Sequence, residues 1–483
     1  MCGGMLKGYL IFDIGTGNAR VVTAGSDGTV HRVKREDIPY SRDPDCLESL
    51  FFDPQQLWAQ LSRMAKEAIK ETPEIEIAAI TSTSQRQGIV LLDGNGDPFM
   101  GLPNIDFRGR KYEKLIPGLE NIYDEVGRKP TTLFSALKLY AVCTEQPDQW
   151  RRVKAFTSIS DWVLYMLSGQ LFYEHSQATE TLLYDVRKNV WSESLCGLFN
   201  IPSSILPRLR ETGSIVGKVR STYAADWNIS EDALIIVGGA DTQLAIKGTQ
   251  PDVGEYVIVS GTTTPVTKLI STYQVDGQSR TWTNGHVKQG QWIMEANGAV
   301  TGLNYQRLKT IFYPNEDYRV MDREMAQIKD YSCLAVLGSV VSGDPRPLTR
   351  GGFIFSTPVS HELKRAHFTL AVLGDIACSI LQNYHVLEQI TGDEPGYVWG
   401  CGGGFQSLML RQLVANLLKK EIRIRSTYRQ SSVYGGVLIC NDSLGVDSPI
   451  GEAYEVILPK EDERMVQWLD RWKRAREDFL WSQ

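Results

Sequence analysis

Tyr9-Leu-Ile-Phe-Asp-Ile-Gly-Thr-Gly-Asn-Ala-Arg20 is the stretch on which the fold turns. Its first four residues form an apolar run of strand length. The glycines that follow permit a tight turn with hydroxyls and backbone N–H groups facing outward. A second unit of the same design stands about half the chain away, where Tyr256-Val-Ile-Val259 leads through Ser260 into Gly261-Thr-Thr-Thr264. Such a turn cradles phosphate oxygens without steric penalty. One loop alone reads as an ordinary hairpin. Two at this spacing read as duplicated halves, whose loops, facing across a cleft, would hold a nucleoside triphosphate between two lobes.

The 483 residues exceed what one hydrophobic core supports, so two or three domains are expected. With 42% hydrophobic and 22% charged residues, the composition is that of an ordinary soluble protein. A net charge of −6 leaves no basic surplus for a general binder of nucleic acid or anionic membranes. Lys419 and Lys420 with Arg423 and Arg425 read as a solvated face. The eight cysteines are scattered without a C-x-x-C pair, and the six histidines show no ligand spacing. A structural zinc site or a disulfide framework is not expected, and the thiols should be reduced. Met1–Lys7 holds no long apolar run, and nowhere do eighteen apolar residues follow one another. The expectation is a cytoplasmic protein without a membrane segment.

Strand-length apolar runs alternate with helical patterns, which predicts α/β layering. Tyr9–Phe12, Val21–Ala24 and Val30–Val33 predict a meander. Gln55–Glu71 has helical spacing, Ile77–Thr81 reads as a strand, and Ile89–Gly96 as a hairpin. Thr132–Gly169 reads as helical throughout. In the second half, Phe368–Ile390 predicts an apolar helix, Tyr397–Trp399 a buried strand, and Glu461–Trp481 a final helix. The stripe of Met465, Trp468, Leu469, Trp472 and Phe479 on that last helix predicts packing. No low-complexity linker occurs, so the boundary near residues 243–255 reads as a hinge.

Two further segments carry chemistry. In Ile235-Ile-Val-Gly-Gly-Ala-Asp-Thr-Gln243 a strand presents Asp241 at its carboxyl end, the ligand-facing edge of an open α/β sheet. A carboxylate there can take a proton from a substrate hydroxyl. It can equally be a helix N-cap. Gly400-Cys-Gly-Gly-Gly-Phe-Gln-Ser407, followed by the helical run Leu408–Leu418, lets a planar base or a phosphate approach the backbone. The run is not G-x-G-x-x-G, and the chain has no P-loop.

In this order, these segments resemble the FGGY carbohydrate kinases of the actin-like ATPase superfamily, over nearly the whole chain. Asp13-Ile-Gly-Thr16 is similar to the family's first phosphate loop, Ser260-Gly-Thr-Thr263 to the second, Ala240-Asp241 to the catalytic segment and Gly402-Gly-Gly404 to the adenosine loop. Phe134–Leu139 resembles the first family signature. Asp161–Gly169 and Ser176–Asp185 with Trp191 resemble the segment after it. Gly343–Pro347, Arg350–Phe353 and the helix from Arg365 resemble the second signature region. The resemblance implies two actin-like (ribonuclease H-like) α/β domains, residues 5–243 and 244–483, flanking a central nucleotide cleft. It implies ATP and Mg2+ as cofactors, with Asp241 the catalytic base, also touching the acceptor, and Asp13 a magnesium-side carboxylate acting through water. Gly15 with Thr16, and Gly261 with Thr262, would hold the β- and γ-phosphates, Gly298 would border the nucleotide, and Gly403 and Ser407 would meet the adenosine. Arg86 and Gln87, within Ser84–Gly88, and Asp106, within Asn104–Arg108, would contact the acceptor.

The acceptor implied is a small sugar, ketose or polyol, and details of the loop narrow it. Glycerol kinases have arginine-glutamate where this chain has Arg86-Gln87, and a tyrosine where Leu133 falls. Xylulose kinases carry methionine-histidine in the same loop. The Arg-x-Gly loop and Asn104-Ile-Asp-Phe-Arg108 look more like the autoinducer-2 kinase branch, which acts on a linear five-carbon dihydroxydione. Thr264 and Phe405-Gln406 replace the smaller residues usual at the two nucleotide loops. A non-catalytic sugar sensor and an actin-like ATPase without a sugar acceptor are the rival readings. A homodimer stays open, and no nucleic-acid or membrane partner is expected.

Overall fold

The computed structural model describes residues 6–44, 46–342, 344, 346–392, 396–447 and 453–481. Cys2, the domain ends at Met5 and Gln483, and Gly343 and Pro345 of the second signature region lie outside the described residues. The chain packs as two compact units. The first comprises Met1–Gly248, Thr283–Trp292 and Ser431–Gly451, and the second Thr249–Trp282, Ile293–Gln430 and Glu452–Gln483. The division at 243/244 therefore differs from the packed one, because the first unit takes back two later segments.

The first unit is built on a sheet ordered Val30–Asp37, Asn18–Gly25, Leu6–Ile14, Ile75–Ser84, Leu234–Ile236 and Ile215–Lys218. The first three strands form the expected antiparallel meander. Leu6–Ile14 then runs parallel to Ile75–Ser84, which runs parallel to Leu234–Ile236. Leu6–Ile14 is apolar at successive positions because both of its faces are covered. Leu10, Phe12 and Ile14 pack with Leu57, Trp58 and Leu61 of helix Pro54–Lys70 and with Trp162 of helix Ile159–Ser168. Tyr9 and Ile11 face the other way, onto Val433, Tyr434 and Val437 of helix Ser431–Leu444. That helix belongs to the first unit because it seals this second face.

The second unit repeats the plan. Its sheet is ordered Trp292–Val300, Thr263–Ile270, Tyr256–Val259, Tyr397–Cys401, Glu421–Arg425 and Tyr454–Ile457. Tyr256–Val259 is antiparallel to Thr263–Ile270 and parallel to Tyr397–Cys401, as its counterpart is in the first unit. Helix Arg365–Thr391 is long and apolar enough to cross a membrane, yet 89% of its most apolar 18 residues are buried, and it forms the core of this unit. Trp468 and Trp472 of helix Glu463–Trp481 pack on it, as the aromatic stripe predicts.

One predicted stretch differs. Thr132–Gly169 is not continuous helix: strand Ala155–Ser158 interrupts it and pairs antiparallel with Ile89–Leu92. Four residues between two helices carry too little periodicity to announce a strand, and only the partner strand makes them one.

Helix Ser431–Leu444 approaches so closely that a Cβ at Gly435 would lie 2.0 Å from the carbonyl oxygen of Leu244. Alanine there gains up to about 1 kcal/mol in helix propensity, but it meets backbone that cannot turn aside. Gly435→Ala should therefore cost about 1–3 kcal/mol of stability. The measurement is urea denaturation, where a lower midpoint with an unchanged slope is expected.

Candidate active site

Strand register assembles the first half of the site. Asp13 and Ile14 lie beside Thr83 and Ser84. On the other side of that middle strand, Gly239 and Ala240 lie beside the same two residues. Gly15, Gln85 and Asp241 therefore leave the sheet side by side at the carboxyl ends of parallel strands, the ligand-binding edge of such sheets.

The first glycine-threonine loop is a hairpin closed by the Gly15 N–H on the Asn18 carbonyl at 2.9 Å. It is stitched to the segments around Gln85, Asn104 and Tyr40. Gln85 Nε2 donates to the Gly15 carbonyl at 3.1 Å, and Gln85 Oε1 accepts the Asn104 N–H at 2.9 Å. The Tyr40 hydroxyl donates to the Thr16 carbonyl at 2.6 Å, and Asn104 Nδ2 to Thr16 Oγ1 at 3.0 Å. Having accepted that bond, the Thr16 hydroxyl keeps its own proton for an outward acceptor such as a phosphate oxygen. Tyr40 is a contributor that the sequence motifs do not mark.

Asp13 is 3% exposed, and its Oδ2 accepts from Arg20 and from Ser432 Oγ, the latter at 2.6 Å. Among the described residues no group of three or more histidine, cysteine or acidic side chains could hold a metal ion. This donor set does not fit a protein-made cage. It does fit Mg2+ carried by phosphates and water, which takes only one or two carboxylates from a protein.

Asp241 opens helix Asp241–Thr249. Its Oδ1 accepts the Thr242 N–H at 2.6 Å and the Thr242 hydroxyl at 3.3 Å. A capping aspartate reaches two or three residues on, so its hydrogen bonds are not those of a cap. Burial pushes its pKa up to about 6; Arg86 opposes the rise, the negative charge of Asp13 adds to it, and the Thr242 hydrogen bonds oppose it. The backbone is held from behind, because Ser176 Oγ accepts the Ala240 N–H at 3.0 Å while donating to buried Glu174 at 2.6 Å.

Arg86 and Gln87, expected to contact the acceptor, converge on Glu180, which no single motif position marks. It is fully buried, with Arg128 Nη1 at 2.9 Å, Arg86 Nη1 at 3.7 Å and the Gln87 amide donating to it. Asp106 is the third residue expected to contact the acceptor. It is fully enclosed, taking Arg108 Nε at 2.7 Å and the Leu50 N–H at 2.9 Å. Asn104, two residues earlier, bonds to Gln85 and to Thr16.

In the second unit, Val259 lies beside Cys401 in parallel register, so Ser260 and Gly402 emerge together. The Gly404 N–H donates to the Ser260 carbonyl at 2.8 Å, and a Cβ at Gly404 would come within 2.0 Å of Ser260 Oγ. The second threonine loop and the glycine run thus form one surface, which needs glycine at its contact. Gly261, Thr262 and Gly403 are exposed on it. Gly298 is buried in strand Trp292–Val300, followed by Ala299 at φ +51°. Ser407, expected at the adenosine, is buried, and its hydroxyl accepts the Leu410 N–H at 3.2 Å and caps helix Leu408–Leu418. Thr264 and Phe405 are both buried, Thr264 on Thr301 at 2.7 Å and Phe405 in the core. Of these replacements only Gln406 is exposed on the loops.

A fold of two α/β units with this repeated strand order, and loops of this chemistry at the carboxyl edges, defines a nucleotide-dependent phosphotransferase of the actin-like class. Residues 8–248 match the N-terminal domain of the FGGY family of carbohydrate kinases, and residues 256–443 its C-terminal domain. The chain belongs to that family and is an ATP-dependent carbohydrate kinase, transferring phosphate to a hydroxyl of a small sugar or polyol. It is 49% identical over 479 residues to the protein named "Putative sugar kinase YoaC" of Bacillus subtilis (strain 168), covering 99% of this chain and 98% of that one. The autoinducer-2 kinase of Salmonella paratyphi A is 28% identical over 497 residues, covering 98% and 91%. The gluconate kinase from Lactobacillus acidophilus has the same fold, with a TM-score of 0.85 at 16% identity over 98% of each chain.

Glu180 is the counter-charge of fully buried Arg128. Breaking a buried pair by neutralising one partner typically costs about 3–5 kcal/mol. Glu180→Gln should lower the denaturation midpoint accordingly, and Glu180→Asp by less.

Proposed function

We propose that this kinase phosphorylates a neutral, linear five-carbon compound with a carbonyl beside hydroxyls, using Asp241 as the base and Mg2+ with the ATP. The observation that carries the proposal is the acceptor-side cluster. Arg86 is a cation only 8% exposed, and beside it stands an amide where glycerol kinases carry a carboxylate. An arginine fork suits vicinal oxygens, and an amide can donate to a ketone oxygen that a carboxylate would repel. Asp13, Glu180 and Asp241 balance Arg20, Arg86 and Arg128. The autoinducer-2 kinases among the relatives support the same class of acceptor.

In this reading the acceptor hydroxyl loses its proton to Asp241, and its oxygen attacks the γ-phosphorus as ADP leaves. Thr16 and Thr262 donate to phosphate oxygens, together with the backbone around Gly15 and Gly261. Gly298 and Gly403 leave room for the nucleoside. Asp13 is the residue that would hold Mg2+, and the metal would supply screening of charge on the phosphates.

Asp241→Asn should lower kcat by about 10²–10⁴-fold, the usual worth of a general base; retention of more than roughly a tenth of kcat would contradict that role. In the wild type, kcat/KM should rise with pH to a plateau above about 6, as Asp241 deprotonates. The folded pKa lies above the unfolded value, so ionising Asp241 weakens the fold as pH rises through that interval. The asparagine variant should therefore be no less stable at neutral pH.

For the acceptor, kcat/KM should be higher for a pentulose or a linear dihydroxydione than for glycerol. Gln87→Glu, which sets a second carboxylate against Glu180, should depress activity with every acceptor and most with the ketones. Glycerol as the best substrate would overturn the ketone reading.

A further inference from the structure

Helix Ser135–Glu145 carries a lysine that none of the steps above employs. The Lys138 ammonium is fully enclosed, with 0% exposure. It donates to the Gln87 carbonyl at 3.0 Å and also to the Leu133 carbonyl. Ser135 Oγ, one turn earlier on the same helix, donates to the same Gln87 carbonyl at 3.1 Å. Gln87 itself sits at φ +62°, a conformation that a residue with a Cβ rarely adopts. Something must hold it there, and the two donors on its carbonyl do so.

The arrangement is costly if it serves packing alone. Burial pushes the Lys138 pKa down to about 7, Asp106 raises it and Arg108 lowers it further. An apolar side chain of the same length would fill the space without desolvating a charge. Its bonds end on two backbone segments of the acceptor side: Gln87, next to Arg86, and Leu133, where glycerol kinases place a tyrosine. Glu180 lies one residue before Thr181, whose carbonyl accepts the Ala136 N–H of the same helix at 2.9 Å. The start of one helix therefore gathers the acceptor loop, the Leu133 segment and the Glu180 segment.

We infer that Lys138 is a positioning residue for the acceptor: it clamps the carbonyls of Gln87 and Leu133 together and so fixes the direction in which Arg86 and Gln87 meet the substrate. The inference rests on the acceptor-site reading of Arg86 and Gln87. Lys138 touches neither nucleotide loop, so its removal should act on the acceptor and spare ATP.

The test is steady-state kinetics on Lys138→Met, Ser135→Ala and Arg86→Lys, using whichever of a pentulose, a linear dihydroxydione and glycerol the wild type prefers. Hydrogen bonds to charged groups set the scale, so Lys138→Met should raise the acceptor KM by roughly tenfold to a hundredfold. The ATP KM should stay within about twofold, far below that scale. Ser135→Ala removes only the neutral donor and should raise the acceptor KM by a smaller factor in the same direction, which carries the test if Lys138→Met does not fold. Unchanged acceptor KM in the folded variants, or equal rises for acceptor and ATP, would overturn the inference. If Arg86→Lys also leaves the acceptor KM unchanged, the acceptor-site reading itself has failed. If Arg86→Lys raises it and the Lys138 and Ser135 variants do not, only the clamp has.

Discussion

Everything in the first unit's site depends on how three parallel strands are registered. The middle strand, Ile75–Ser84, holds Asp13 and Ile14 level with Thr83 and Ser84 on one side. It holds Gly239 and Ala240 level with the same residues on the other. A slip of one residue in either pairing would exchange the side chains that the strand presents to its two faces. It would also carry Asp241 or the Gly15 hairpin out of line. Burial on both faces prevents that slip, because Leu10 and Phe12 are needed on one side and Tyr9 and Ile11 on the other. The packing of the core and the placement of the chemistry are one constraint.

The second unit uses the same device with different chemistry. Parallel register puts Ser260 beside Gly402, and the loops that follow become a single glycine-lined surface. In the first unit the corresponding edge is charged, with Asp13, Asp241 and Arg86 acting on one another. In the second it is hydroxyl and backbone. A charged edge can exchange a proton, whereas hydroxyls and backbone N–H groups can only donate to or accept from what they meet.

Buried ionic groups give the surroundings of Arg86 and Gln87 their shape. Glu180 joins Arg128, Arg86 and Gln87, while Lys138 joins Gln87 and Leu133. Such groups seldom add to stability when compared with apolar residues of similar volume. What they supply here is direction, because each hydrogen bond fixes an angle that dispersion contacts leave loose.

The sequence by itself determined the α/β class, the duplicated halves, both glycine-threonine loops and the strand-borne Asp241, because apolar periodicity and glycine-rich turns are local signals. It also marked Arg86 and Gln87. It could not show that Asp106 turns inward to Arg108, that Ser407 spends its hydroxyl on a cap, or that Ala155–Ser158 is a strand. Nor could it show that Ser432 bonds to Asp13 across more than four hundred residues of chain. Glu180, Arg128 and Lys138 went unmarked because a buried charge looks in sequence like any exposed one. Only the tertiary structure decides which charges lose their water, and that loss of water is what makes their partners and their direction specific.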